Sequence, residues 1–172
     1  MIVATDASVL LYLIDPDLPA PLDEDGQPVT KCKERLDYLL DTMSKRGDVL
    51  VIPTPALAEM LTRADAVGND WLATLHGKKA VRIAPFDEMA AIECAALART
   101  RKSRNPSATR TKAKFDEQIV AIAATSRAEE ILSDDSDIRA LAPPGIIVRG
   151  IANLDIPPED PQGDMFASPQ DD

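Results

Sequence analysis

Four widely spaced acids carry the chemistry this sequence offers: Asp6, Glu59, Asp116 and Asp135, with Asp137 close behind the last. Asp6 ends the apolar run IVAT and precedes a second apolar stretch, ASVLLYL, while Glu59 interrupts the run ALAEML. Asp135 and Asp137 belong to the polar string Ser133 to Asp137 that follows EIL, and Asp116 lies early in the helical pattern leading to that run. An acid placed just after a strand of a parallel sheet faces the crevice outside the strands' carboxyl ends, where α/β proteins bind ligands. Carboxylates gathered there repel and raise one another's pKa unless a cation neutralises them. An oxygen-only set with no His or Cys nearby suits Mg²⁺ or Mn²⁺. Water on such an ion is a usable nucleophile near neutral pH, and a second ion about 3.5–4 Å away stabilises the leaving oxygen of a phosphodiester. Plainer explanations stand beside this one. Asp6 and Asp116 also suit helix caps or first-turn acids, Glu59 a solvated helix position, and Asp134 to Asp137 a turn. Caps alone leave Glu59, set inside an apolar helical stretch, without a reason.

The elements that must position these acids follow from hydrophobic patterning. Apolar runs at about residues 2–5, 48–52, 79–84, 130–133 and 146–148 read as strands. Helical spacing fills the intervals. The first helix stops before Pro16; the next starts at Thr30 as N-cap, with Cys32, Leu36, Leu39, Leu40 and Met43 on one face, and stops at Gly47. Pro53-Thr54-Pro55 starts another with Thr54 as N-cap, and a separate stretch covers Ala66 to Leu75, with Trp71, Leu72 and Leu75 facing the core and His76 at its end. Asp87 caps a helix whose inward positions include Met89, Ile92, Ala96 and Leu97, and from Lys112 onward Phe115, Ile119, Ile122 and Ala123 share a face. Two stretches read as loops: Asp15 to Pro28, rich in Pro and acids, and Arg99 to Thr111, polar, basic and broken by Pro106. Five strands alternating with helices predict an α/β fold with a parallel sheet.

At 172 residues the chain suits one domain, over about residues 1–150, followed by an acidic, Pro-rich tail at 151–172 without the apolar content to fold alone. One Trp, two Tyr and three Phe leave the core to aliphatic side chains. Cys32 and Cys94 match no metal or redox spacing, and neither a signal peptide nor a membrane-length apolar segment is visible, so a cytoplasmic protein with no membrane partner is expected. A net charge of −10 argues against a nucleic-acid partner, but the charge is segregated. Between Cys94 and Phe115 there is no acid, while Arg99, Arg101, Lys102, Arg104, Arg110, Lys112 and Lys114 supply seven cations, a candidate phosphate-binding edge with no aromatic for base stacking.

These blocks resemble the PIN domain, and specifically the VapC-type ribonuclease toxins. The resemblance rests on Asp6 within VATDASVLLYL, Glu59 within TPALAEML, Asp116 followed by Ile122-Ala123-Ala124, and Ser133-Asp134-Asp135 closing the next strand, in order over about residues 2–148. It implies a three-layer α/β/α fold with a five-stranded parallel sheet. It also implies an endoribonuclease using Mg²⁺ or Mn²⁺ on Asp6, Glu59, Asp116 and Asp135, with Asp137 as a fifth acid, a homodimer, and a small antitoxin partner. The Asp15 to Pro28 loop, the acidic tail and the negative charge depart from a compact toxin. A haloacid-dehalogenase-type phosphotransferase also opens on a strand and an Asp, but needs a second Asp where this chain has Ser8. A PIN-like RNA-binding or scaffold protein without activity is the other alternative.

Overall fold

Val, Ile, Leu and Ala runs too short for helices fall into one sheet. A computed structural model of the chain describes residues 1–15, 17–75, 78–100 and 110–158. Its five strands are β1 (Ile2–Thr5), β2 (Val49–Pro53), β3 (Val81–Ala84), β4 (Glu130–Leu132) and β5 (Ile147–Arg149), in the order β3-β2-β1-β4-β5. Every neighbouring pair is parallel, with Val3 opposite both Leu50 and Glu130. The helices are α1 (Ala7–Ile14), α2 (Cys32–Arg46), α3 (Thr54–Leu75), α4 (Glu88–Thr100), α5 (Arg110–Thr125) and α6 (Ser136–Leu141), followed by a 3-10 turn at Ile151–Asn153. The expected α/β/α architecture is the observed one.

The chain runs outward from β1 to β3, returns, and adds β4 on the free side of β1. The order therefore reverses between β1 and β4, and the crevice of an open parallel sheet lies at such a reversal, beyond the carboxyl ends of the strands. Central strands covered on both faces bury every side chain. Val3, Val51, Ile52 and Ile131 are fully buried, and Leu10, Leu36, Met60 and Ile122 pack on them from the helices. Among the described residues the largest fully buried side chains are Leu, Ile, Val and one Met, with no aromatic, as the scarcity of aromatics requires.

Several local expectations need correction. The N-cap of α2 is Lys31, in the left-handed region at φ 57°, and Thr30 lies one residue outside. Residues 54–75 form one helix, not two, and Thr54 is its first residue, its hydroxyl accepting from the Phe86 N–H at 3.2 Å. In α4 Leu97 packs on the core as expected, with Ala90 and Cys94 beside it and Ala96 half-buried, while Met89 and Ile92 are 63% and 57% exposed. Asp116 lies in the second turn of α5, since the helix starts at Arg110. Arg99 and Arg110 are helical ends of α4 and α5; residues 101–109, which the loop was expected to cover, lie outside the described residues, as does His76.

The stretch 17–28 carries its own bonds. Asp23 Oδ1 accepts from the N–H groups of Asp25 and Gln27, Leu22 bridges Pro28, and the Tyr12 hydroxyl donates to the Pro19 carbonyl at 2.7 Å. The packed body also runs past residue 150. Ile151 and Leu154 are buried, and the Arg35 guanidinium donates to the carbonyls of Ala152 and Leu154. Residues 159–172 of the expected tail lie outside the described residues.

Candidate active site

Strand β1 delivers Asp6 to the carboxyl edge of the sheet, where its N–H donates to the Leu132 carbonyl at 3.1 Å and so continues the pairing with β4. The carboxylate then caps α1: Oδ1 accepts from the Val9 N–H at 3.0 Å and from the Ser8 hydroxyl at 2.8 Å. Its other oxygen, Oδ2, accepts a hydrogen bond from the Ser133 hydroxyl, 127 residues away in sequence. Only 4% of Asp6 is exposed. Burial pushes its carboxyl above the ordinary range, against the pull of the Ser133, Val9 and Ser8 hydrogen bonds. Asp6 is thus a cap and a crevice acid at once; the two readings of the sequence were not exclusive.

Ser133 joins two acids. Fully buried, its Oγ also accepts the Asp135 N–H at 3.0 Å, which sets the turn from β4 into α6. Asp135 in turn caps α6, with Oδ1 accepting from the Asp137 N–H at 2.7 Å. This leaves Asp135 Oδ2 pointing to α5. Asp134, between them, turns away: its Oδ1 accepts from the Ile151 N–H at 2.9 Å, holding the 3-10 turn against the sheet.

The second half of the site comes from α5 and α3. Lys112 and Asp116 are one helical turn apart, and the Lys112 ammonium stands 2.6 Å from Asp135 Oδ2, 3.2 Å from Asp137 Oδ2 and 3.3 Å from Asp116 Oδ2. Burial drives the Asp116 carboxyl up to about 6; Lys112 opposes the rise, and the Asp135 and Asp137 charges add to it. The Lys112 ammonium itself is held well above the usual lysine range, because its three carboxylates outweigh the cost of partial burial. From α3, Glu59 faces the same space and pairs with Arg63 at 3.0 Å.

Asp6, Glu59, Asp116 and Asp135 all line one cleft of about 600 Å³, with Lys112 and Arg63 among its walls and Phe115, Ile119 and Ile138 as apolar lining. Asp137 joins the group through Lys112 without lining the cleft. Four acids far apart in sequence are therefore brought together. Of the expected phosphate-binding cations, Lys112 sits among the carboxylates, Arg99 and Lys114 are exposed on α4 and α5, and Arg101, Lys102, Arg104 and the Arg110 side chain lie outside the described residues. Sequence reasoning missed Ser133 as the link between Asp6 and Asp135, and Arg63 as a cleft cation. Spacing signalled Arg63, since Glu59 and Arg63 stand one helical turn apart; only the β1–β4 pairing reveals Ser133.

Whether these residues suit a metal follows from the donors themselves. They are carboxylate oxygens alone, the set preferred by Mg²⁺ and Mn²⁺, and three of them already surround one cation, the Lys112 ammonium. The chemistry fits a hard divalent ion. The spacing is that of an ammonium, 2.6–3.3 Å, against roughly 2.0–2.1 Å for magnesium, and among the described residues no three Asp, Glu, His or Cys side chains stand close enough to hold one ion as arranged.

No family model matches the sequence, and no curated protein does. Solved structures do match in shape. VapBC2 from Rickettsia felis, bound to a promoter DNA fragment, superposes with a TM-score of 0.60 at 14% identity, over 87% of this chain and 98% of that one. FitAcB from Neisseria gonorrhoeae gives 0.57 at 20% identity, over 90% and 100%. VapC20 from Mycobacterium tuberculosis, a toxin that cleaves the sarcin-ricin loop, gives 0.54 at 13% identity, over 80% and 93%. The chain has a VapC-like PIN-domain fold. In this PIN-like fold the cleft lined by the four carboxylates lies at the carboxyl edge of β1 and β4, and among the described residues no helix is long and apolar enough to cross a membrane.

Proposed function

We propose that the chain is a metal-dependent endoribonuclease that hydrolyses RNA phosphodiester bonds. One observation carries this reading: Asp6, Glu59, Asp116 and Asp135, from four separate segments, line a single cleft at the switch point of a PIN-like sheet. The fold shared with VapC structures, one of them a toxin that cleaves the sarcin-ricin loop, supports RNA as the substrate class.

Asp6, Glu59, Asp116 and Asp135 would hold Mg²⁺ or Mn²⁺, with Asp137 supporting from α6. When bound, such an ion lowers the pKa of a water and offsets charge on the phosphoryl and leaving oxygens. The chain's own residues supply the rest. Ser133 and the Val9 N–H fix both oxygens of Asp6, so this carboxylate meets its ligand already oriented. The cap on α6 fixes Asp135 in the same way. A carboxyl of Asp116 raised to about 6 sheds its proton below neutral pH and is an acceptor at pH 7. Arg63 brings to the cleft wall a planar donor fork suited to a phosphate. The apolar lining of Phe115, Ile119 and Ile138 limits water around the charges, which strengthens them.

The test is cleavage of total RNA by the purified chain with Mg²⁺, Mn²⁺ or EDTA, beside Asp6→Asn and Asp116→Asn. Cleavage by the wild type alone, abolished by EDTA, supports the proposal; equal cleavage by all three proteins defeats it. VapBC neighbours, solved as complexes, support a toxin role for this chain with a small antitoxin as partner, and we extend the proposal to a cytoplasmic homodimer under such control. Co-purification of a small neighbouring gene product and the mass of the particle in solution test those parts. A second reading is favoured by Lys112, whose ammonium already balances part of the acidic cluster: a PIN-like RNA-binding or scaffold protein without activity. RNA bound but uncut with either ion would establish it.

A further inference from the structure

The Lys112 ammonium stands on three carboxylates contributed by two separate segments, Asp116 from its own helix and Asp135 and Asp137 from the cap and first turn of α6. The side chains differ in access. Those of Asp116 and Asp137 are 8% and 12% exposed, whereas that of Lys112 is 45% exposed, so the lysine enters the cluster from the solvent side. A four-carbon stem anchored on α5 lets its head leave without any change in the backbone. Among the described residues, one ammonium against three carboxylates leaves two negative charges unbalanced, the deficit that suits a divalent ion. Ammonium and dication within about 4 Å of one another repel strongly in a half-buried site, so the acids cannot hold both at close range.

We infer that Lys112 is a tethered cation that occupies the divalent-ion position in the metal-free protein, must swing out for the ion to load, and thereby sets the metal concentration at which the site switches on. This rests on the metal-dependent reading above. In the metal-free protein Lys112 stabilises the carboxylate cluster and holds α5 to the α6 turn. Once displaced, its head remains at the cleft wall beside Thr111 and Phe115, within reach of a phosphate on the substrate backbone. Lys112 is in this sense a positioning residue of the carboxylate cluster.

The experiment is calorimetric titration of Mn²⁺ into the full chain as wild type, Lys112→Met and Lys112→Arg. With the competing charge removed, Lys112→Met binds Mn²⁺ tighter by on the order of ten-fold, a figure already reduced for the lysine's exposure, while Lys112→Arg stays near the wild-type value. In parallel, acetylation of the wild-type protein by an amine-reactive ester, read by peptide mass spectrometry, rises at Lys112 as Mg²⁺ is added, because the released amine is no longer shielded. This second measurement stands even if Lys112→Met does not fold. Wild-type binding of Mn²⁺ with equal or weaker binding by a folded Lys112→Met overturns the inference and leaves the metal-dependent nuclease standing. Unchanged Lys112 acetylation across a Mg²⁺ range that the wild type binds overturns it too. Absence of Mn²⁺ binding in every protein overturns both.

Discussion

Replacing Asp116 by Asn removes a charge that the fold holds at a cost. Burial, helped by the charges of Asp135 and Asp137, raises its carboxyl from the ordinary 3.8 to about 6, against the pull of Lys112. In the unfolded chain the proton leaves near 3.8, so between that pH and about 6 the folded state binds more protons than the unfolded state. Stability contributed by the neutral form is complete below about pH 4 and is lost as pH rises to about 6. A shift of about two units corresponds to about 3 kcal/mol, which screening in an open cleft reduces to about 1–2 kcal/mol. Asn has the shape of the neutral acid and never ionises. In EDTA at pH 7.5, Asp116→Asn is therefore more stable than the wild type by about 1–2 kcal/mol, or roughly 2–8 °C in Tm for a chain of this size. Below pH 4 the two proteins melt together. Thermal unfolding by circular dichroism between pH 4 and 8 is the assay. A variant no more stable than the wild type at pH 7.5, or an advantage that grows on acidification, refutes the claim that ionised Asp116 is under strain.

Three further outcomes follow from the site. Ser133→Ala leaves Asp6 Oδ2 buried without its hydroxyl donor and lowers stability by about 1–3 kcal/mol, measured as the urea midpoint. Glu59→Gln breaks only an exposed pair with Arg63, so stability changes by less than about 0.5 kcal/mol while RNA cleavage falls by at least the roughly 10–100-fold typical of a metal's supporting groups. Gly150→Ala places a methyl group 2.5 Å from Asp134 Oδ1, which the Ile151 N–H holds, and the required shift costs about 1–3 kcal/mol, visible as a lower Tm.

Asp6, Asp116 and Asp135 were legible because each follows or opens an apolar run whose period fixes its element, and Glu59 because it breaks one; parallel strands send acids so placed to one edge. Asp6 after IVAT and Asp135 after EIL needed no more than that. Lys112 was legible as a cation but not as an internal counterion. A lysine one helical turn before an aspartate reads as a solvated pair, and only the docking of α6 beside α5 adds two further carboxylates. Met89 and Ile92 misled for a similar reason: hydrophobicity chose them for the buried face of α4, whereas Ala90, Cys94 and Leu97 fit the close packing against α5. The net charge of −10 likewise sums over opposed segments and says little about the cleft wall, where Arg63 and Lys112 stand.

The bond from Ser133 to Asp6 spans 127 residues and crosses from the first-made strand to the fourth. A ribosome that has extended only the first hundred residues holds β1, β2 and β3 with one flank of β1 bare, and with neither Asp116 nor Asp135 yet joined to the chain. At roughly 5–20 residues per second, seconds separate the birth of Asp6 from that of its partner. Any chain cut short before α5 is missing half of the four acids, and one cut short before β4 still lacks Asp135, so the order of synthesis leaves this crevice incomplete until the domain is nearly whole.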